Sequence, residues 1–459
     1  MSLTPLLLPA VCLILGIVSA SQVESAGVML ALMGASVVVA WLTARWPRIQ
    51  TLCILSAFFF LGAWVARPKE KPQVEGQMVT GVIFSEPAEK PKTIAVDVLL
   101  PEQGNDYVRC YLWKDERSRQ VVLGSPVMLS KAEGGFVRSS EWQLGGDGYR
   151  KLSSLQRVRL RFLHLRHHLL EGFRQHEVDE RQYAVLAAMT LGDKSALTKE
   201  LREIYSVTGA SHVLALSGLH LGIIYLLLSY LTLRRRHFWL SQTVIILCIW
   251  AFALLTGLST SVIRSATMIS IYALFSVAGR HHSPVNLLCF TAIVMLLVSP
   301  SSLWDVGFQL SFAAVLSILL WMPLFESMLP ERYRVGHRLV RYIYNMVGVS
   351  VAAQIGVAPL IAYHFGRFST WFLLTNFIVI PAAIIILYGA LLVLVVPALT
   401  PVLLWMVDIL NKALGWISQM PCSSIDGLHP SVLQVCIIYA SFFALWLAGR
   451  RVWRVPPVT

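Results

Sequence analysis

The chain has 459 residues, of which 56% are hydrophobic and 14% charged, with a formal net charge of +13. A soluble globular protein carries about 45–50% apolar and about 25% charged residues, so that class is excluded. The apolar residues fall in blocks of about 17–25, the length that crosses a bilayer, and the chain reads as a polytopic α-helical membrane protein. The positive charge is mainly a topology signal. Residues 67–150 hold 12 basic and 12 acidic side chains, whereas 207–459 hold 14 basic and 5 acidic, in short loops between apolar runs.

Three apolar runs open the chain, near 3–20, 26–44 and 49–66. The first, "MSLTPLLLPAVCLILGIVSA", has no Lys or Arg ahead of it, so it reads as a transmembrane helix and not as a cleaved signal peptide. "RWPR" at 45–48 is the basic loop among the three, which assigns it and the N-terminus to the cytoplasm. Residues 67–155 are then delivered to the outside. Within them, 74–131 reads as β: "QMVTGVIF", "TIAVDVLL", "DYVRCYLW" and "SPVMLS" are apolar, β-branched or alternating, with turn residues between them. Four or five short strands predict a small extracytoplasmic β-barrel domain, OB-like, over 67–150. A jelly-roll fragment or another small β-domain gives the same pattern. In "YRKLSSLQRVRLRFLHLRHHLLEGFRQHE" (149–177), Leu155, Phe162, Leu163, Leu169, Leu170 and Phe173 keep near-helical spacing amid Arg and His. The spacing predicts basic amphipathic helices over 151–206, lying on a membrane surface or lining a groove.

Nine further runs lie near 211–233, 239–257, 261–278, 284–298, 303–321, 343–364, 371–396, 401–418 and 431–449, giving about 12 transmembrane helices. Residues 1–66 form the N-terminal group and 207–459 the main bundle. "RRRH" (234–237), "GRHH" (279–282), "ERYRVGHRLVR" (331–341) and "RRVWR" (450–454) all fall on the cytoplasmic side when sides are counted alternately, as does the C-terminus. Pro381, Pro397 and Pro401 mark places where 371–418 would divide into half-helices. The seven cysteines make no CxxC or Cys/His metal spacing, and Cys110 alone lies in the large polar segment, which excludes a disulfide there.

"GASHVLALSGLHLGIIYLLLSYL" (209–231) is membrane-grade sequence that nevertheless carries His212, Ser217 and His220. Polar side chains in hydrocarbon need a partner or a job. On one continuous helix His220 would lie about 12 Å deeper than His212 and about 80° around the axis, with Ser217 on a neighbouring face. Gly209, Gly218 and Gly222 offer close-packing surface. Arg264, Asp305, Gln309 and Asn376 fall at similar depth on runs entering from the outside. Asp305 and Gln309 share a face, and the cost of an unpaired charge favours an Arg264–Asp305 pair. A Ser/His hydrolase lacks its nucleophile elbow here. A zinc site from His212, His220 and Asp305 would need all three to converge. Asp408 and Lys412 neutralise one another at i,i+4.

"LGDKSAL" (191–197) followed by "TGASHVLALSGLHLGII" resembles the ComEC family of inner-membrane competence proteins, whose pattern is a Gly-Asp segment and then T-G-x-x-H-x-L-x-x-S-G-x-H. "LLTGLSTSVIRSATM" (254–268) and "SPSSLWDVGFQLSFAAV" (299–315) are similar to two further family stretches in the right order. The likeness is strong over 183–320. It implies a channel in the bacterial plasma membrane that passes one strand of incoming DNA to the cytoplasm during natural transformation. Carried over by motif, Asp193, His212, Ser217, His220, Arg264, Asp305, Gln309 and Asn376 are the candidate positions the resemblance implies, the last seven for the pore. Many family members continue into a metallo-β-lactamase-like domain. This chain ends at Thr459 with no H-x-H-x-D-H run, so neither a nuclease nor a metal cofactor is expected of it.

On this reading Arg157, Arg159, Arg161 and Arg166 gather the strand by charge, and Tyr107, Trp113 and Trp142 offer stacking faces. No Walker motif is present, so a cytoplasmic motor or single-strand-binding protein would supply the pull. Membrane lipids, a periplasmic DNA receptor, a separate nuclease and a second copy of the chain complete the expected partners. The rival readings are a transporter of a small or lipid-linked anion and an intramembrane metallo-enzyme.

Overall fold

In hydrocarbon a segment must pair its own backbone groups, so long apolar stretches become helices. The computed structural model describes residues 4–20, 26–67, 79–102, 106–129, 136–137, 142–174, 179–232, 238–277, 283–330 and 338–453. The basic clusters at 234–237 and 279–282, most of 331–341 and Arg454 lie outside the described residues, as do 74–78 and 130–131 of the expected β segment. The chain divides into two units. A membrane unit comprises Met1–Pro68, Thr198–Ile249 and Thr260–Thr459; a second unit comprises Lys69–Leu197 and Trp250–Ser259.

The helices of the membrane unit begin with α1 (Leu7–Ser19), α2 (Ala26–Leu42) and α3 (Pro47–Val65). The second unit holds β1 (Val79–Ile83), β2 (Ala88–Glu89), β3 (Thr93–Leu100), β4 (Asp106–Trp113), α4 (Glu116–Arg119), β5 (Pro126–Leu129), β6 (Phe136–Val137), β7 (Trp142–Leu144), α5 (Ser154–Arg174) and α6 (Glu180–Leu191). Then follow α7 (Lys199–Val207), α8 (Ser211–Leu214), α9 (Gly218–Thr232), α10 (Phe238–Leu255), α11 (Thr260–Val277), α12 (Pro284–Val298), α13 (Val306–Met328), α14 (Arg338–Phe365), β8 (Arg367–Ser369), α15 (Phe372–Val393), α16 (Thr400–Ser418), β9 (Ser424–Asp426) and α17 (Val432–Val452). Among the described residues, eight helices are long and apolar enough to cross a membrane, and α1, α2, α9 and α12 are shorter apolar helices. The protein is a polytopic helical membrane protein.

Two expectations for this unit fail. The 211–233 run is not one helix: α8 ends at Leu214 and α9 starts at Gly218. Residues 215–217 leave the helix where protein surrounds them, with Val213 and Leu216 buried, which is the setting that tolerates non-helical backbone at membrane depth. Pro381, conversely, does not divide α15, which runs unbroken from Phe372 to Val393; the break comes at Leu394–Val396, before the single-turn Pro397–Leu399.

Helices in this unit meet through small residues and through side chains bonded to neighbouring carbonyls. A Cβ at Gly16 would strike the Phe59 carbonyl, and one at Gly62 the Leu13 carbonyl, so α1 and α3 cross backbone to backbone. Ser317 Oγ donates to Ala352 O (2.6 Å), Tyr439 Oη to Gly356 O (2.6 Å) and Trp446 Nε1 to Leu320 O (2.8 Å), tying α13, α14 and α17 together.

In the second unit the strands form one seven-stranded sheet of order β6-β4-β3-β1-β5-β7, with β2 on β3. Period-two alternation sorts its side chains. Ile83, Ile94, Val96, Val98 and Leu100 enter one core with Trp142, while Val82, Phe84 and Leu99 face the other way. Leu152, Leu160 and Leu163 of the α5 segment cover that second face. The α5 helix therefore spends its apolar stripe on the sheet, and Leu155, which the spacing placed in the stripe, is exposed. The closed barrel expected from the sequence is not formed among the described residues: β6 and β7 end the sheet without pairing to each other.

Cys110 is buried in this core and free, and burial pushes its thiol up to about 11. The unfolded chain releases that proton near 9, so the unit loses stability as pH climbs from about 9 towards 11. At pH 8 maleimide should label exposed Cys422 and spare Cys110 until denaturant is added. Labelling of Cys110 at the rate of Cys422 would show the sheet core to be open.

Candidate functional site

The break between α8 and α9 organises the polar residues of the membrane unit. Gly209 takes φ +80, a left-handed conformation open to glycine, and turns the chain from α7 into α8. A Cβ there would sit 3.1 Å from Ser369 Oγ, so the turn is pressed against β8. His212 Nδ1 donates to Gly209 O (3.0 Å) and the side chain keeps accessible surface. After the break, Ser217 N–H donates to His220 Nδ1 (3.4 Å), and Ser217 Oγ lies 3.3 Å from the same nitrogen. His220 is fully buried, its Nε2 has no partner among the described residues, and it lies within electrostatic reach of His212.

From the start of α9 the polar track continues into α11. A Cβ at Gly218 would lie 3.2 Å from Ser265 Oγ, and the preceding residue, Arg264, bonds Asp305 (Nη1 to Oδ2, 3.0 Å). The expected Arg264–Asp305 pair is formed. Arg264 is buried, whereas the Asp305 side chain is 40% exposed. Asp305 is not inside a helix: it caps α13, its Oδ1 accepting from Gly307 N–H (3.1 Å). One turn on, Gln309 Nε2 donates to Leu303 O (3.0 Å), which leaves its oxygen to accept from His364 Nε2 of α14 (3.0 Å). Asn376 is half-buried on α15, next to fully buried Thr375, whose Oγ1 is unpartnered among the described residues. The residues that sequence reasoning missed are Ser265, Ser369 and His364.

Arg367 anchors the edge of this region. It bonds Glu203 (2.8 Å), Asp426 (2.5 Å) and Ser206 Oγ (3.1 Å), so α7, β8 and β9 share one cation. Tyr205 Oη donates to Asn411 Oδ1 (2.9 Å), holding α7 against α16.

Asp193, the remaining motif residue, belongs to the second unit. Gly192 ends α6 at φ +72, and Asp193 caps the following turn through Ser195 N–H (3.0 Å) and Ser195 Oγ (2.9 Å). It also lies 3.9 Å from Arg166. Arg159 bonds Tyr107 Oη (2.6 Å) and Gly257 O (3.4 Å) and stacks on the Tyr107 ring, and Arg157 bonds Leu152 O (3.1 Å). Burial raises the Tyr107 phenol, with the Arg159 guanidinium opposing. Three of the four arginines expected to gather a strand are thus engaged within the unit, and Arg161 is exposed. Tyr107 and Trp113 are exposed, but Trp142 is buried in the sheet core and offers no stacking face. Arg159, Arg166, Phe84, Glu86, Thr256 and Gly257 line one cleft. Among the described residues no group of His, Cys, Asp or Glu is arranged to hold a metal, so His212, His220 and Asp305 do not form the zinc triad considered above.

The model of the competence protein family matches residues 189–452, more than half of the chain. The chain belongs to that family. Among similar proteins, "ComE operon protein 3" of Bacillus subtilis (strain 168) is 28% identical over 244 residues, covering 52% of this chain and 30% of the relative. An uncharacterised protein of Aquifex aeolicus (strain VF5) is 32% identical over 199 residues, covering 43% of this chain and 44% of the relative. "Recombination protein 2" of Haemophilus influenzae is 25% identical over 206 residues, covering 43% and 26%. The matched part of the chain thus spans less than half the length of each of these relatives. No solved structure matches the chain significantly.

Proposed function

We propose that this chain passes a single strand of DNA across the bacterial plasma membrane during natural transformation. The observation that carries the reading is the polar track through α8, α9, α11, α13 and α14, set in helices otherwise built of apolar residues. A phosphate backbone needs cationic and donor groups that hold it loosely, and Arg264, His220, Gln309 and His364 supply such groups without one tight site. Membership of the competence family supports the same substrate.

The second unit would stand on the outer face and the termini in the cytoplasm, following the basic loops. The strand order supports an OB-like domain, because the described strands β6 and β7 follow one another in the chain yet pair at opposite ends of the sheet, with β4 and β5. Exposed Tyr107, Trp113 and Arg161 would meet the strand there. An outer receptor, a cytoplasmic motor or single-strand-binding protein and a separate nuclease would complete the route, and the chain's own part is passage and not cleavage.

The test is a knockout strain given fluorescent duplex DNA, scored for nuclease-protected DNA outside the membrane and for transformants. Restoration of transformants by this chain, with protected DNA building up in its absence, supports the reading. Normal transformation of the knockout sinks it and favours transport of a small anion.

A further inference from the structure

We propose that the cleft of the second unit between the sheet and α5 takes a single guanine base, with Glu86 as acceptor and Arg166 as donor. The base belongs to an unstacked nucleotide of a strand or to a free nucleoside. The first source rests on the reading of the chain as a DNA passage and adds a contact point to it; the second does not. Every wall of the cleft belongs to the second unit. Its volume is about 190 Å³. A cavity of about 150 Å³ holds benzene, and pockets for drug-sized molecules start at about 300 Å³, so this one suits a single ring system.

Glu86 and Arg166 both line the cleft and both lie within electrostatic reach of Tyr183, yet they do not pair with each other. Arg166 makes no hydrogen bond among the described residues, and its ion pair with Asp193 is long, at 3.9 Å. Both Asp193 oxygens are taken by Ser195. Glu86 meets His167 Nδ1 at 3.7 Å, beyond hydrogen-bond distance, and its Oε1 has no partner among the described residues. A guanidinium only donates and an ionised carboxylate only accepts, so two such groups on one cleft, not touching, leave room for a ligand that answers both. The other polar groups of the wall are occupied. Asp97 is held by Arg109 (2.8 and 3.1 Å), Ser85 Oγ accepts from Asp97 N–H (2.7 Å) and Thr256 Oγ1 donates to Phe252 O (3.0 Å). Arg159 is spent on Tyr107 Oη and Gly257 O. Gly257, the glycine of "LLTGLSTSVIRSATM", keeps the space beside Arg166 free of a side chain; a Cβ there would lie 3.6 Å from Nη1. Phe84 and Leu163 supply apolar wall for the faces of a ring. Glu86 and Asp97 disfavour an oxyanion, and the two arginines disfavour a simple cation. A base answers both charges, and guanine does so twice over. Its N1–H and N2 amino group suit a carboxylate, and its O6 and N7 suit a guanidinium.

The experiment uses the full chain in detergent. Fluorescence anisotropy compares labelled oligothymidylate carrying one central guanine with the all-thymine oligomer, and equilibrium dialysis measures free guanosine. Glu86→Gln removes the anionic acceptor; Arg166→Lys keeps the charge beside Asp193 and loses the two-pronged donor. Wild type should bind the guanine oligomer about tenfold more tightly than the all-thymine one. Each variant should bring that ratio near one and leave all-thymine binding, which reports a folded chain, unchanged. Inosine in place of guanine lacks the N2 amino group and tests Glu86 with no change to the protein; it should bind about threefold more weakly than guanine. If guanosine binds and both variants weaken it about tenfold while the oligomers bind alike, the base site stands with a free nucleoside as its source, and the strand contact falls. If the oligomers bind alike and guanosine does not bind, or if both variants and inosine match wild type with guanine, the site is overturned while the passage survives. If wild type binds no probe, the site is overturned, and the recovery of transformants judges the passage by itself.

Discussion

Asp305→Ala should destabilise the membrane unit by about 2–4 kcal/mol, and more than Arg264→Ala. Removing one partner of a buried ion pair costs about 3–5 kcal/mol, and the partial exposure of Asp305 brings the value to the lower part of that range. What remains is the Arg264 guanidinium, with 6% of its side chain exposed and its counter-charge gone. The same substitution removes the cap of α13, a further cost of about 0.5–2 kcal/mol. Arg264→Ala leaves a half-exposed carboxylate that still caps α13, so its loss is smaller. Asp305→Asn keeps the cap and should fall between the two. A double-mutant cycle of Arg264→Met and Asp305→Asn, followed by thermal unfolding in detergent, should recover about 1–2 kcal/mol of the summed single losses. Strict additivity would mean that the pair is not coupled.

Gly356→Val should prevent the folded protein from accumulating, and Gly356→Ala should cost about 1–3 kcal/mol through overpacking. A Cβ at Gly356 would strike the Ala313 carbonyl and approach Ser317 Cβ to 2.7 Å. The clash is with backbone of α13, which has no rotamer to yield. Separation of α13 from α14 would also stretch the Ser317 bond to Ala352 O and disturb Gly356 O, the acceptor of Tyr439 Oη. Gly34→Ala is the control, since a Cβ there meets nothing within 4 Å. Monodisperse yield after solubilisation separates the two positions. Equal yields would mean that α13 and α14 do not cross this closely.

The membrane helices were legible because an apolar run has few alternatives in hydrocarbon: α10, α11 and α12 begin and end within one or two residues of the runs at 239–257, 261–278 and 284–298. The Arg264–Asp305 pair was legible for a similar reason, as neither charge is affordable alone at that depth. The break at 215–217 was not. "LALSG" contains no proline, and a buried apolar loop has the same composition as a buried apolar helix. The stripe on α5 announced that something covers Leu160 and Leu163, but periodicity does not say whether the cover is lipid or the Phe84 and Leu99 face of a sheet. Arg159 read as a free cation because its partner, Tyr107, is 52 residues away in the chain. Asp193 shares a motif region with His212, yet it serves the turn after α6 and belongs to the other unit. Proximity in sequence is not proximity in a site. His364 was visible as a polar residue ending an apolar run; its bond to Gln309 follows only from the packing of α14 on α13.

The central claim, that the polar track around the α8–α9 break lines the path of a DNA strand, is tested most directly by photocrosslinking during uptake. A photoreactive phenylalanine would replace Ala215 in the break, Asn376 on α15 and, as bilayer-facing controls, exposed Leu247 on α10 and Leu445 on α17. Cells taking up labelled DNA are irradiated and the chain is purified under denaturing conditions. The account predicts labelled strand attached at 215 and 376, and none at 247 or 445. Labelling at the control positions with none at 215 would contradict it.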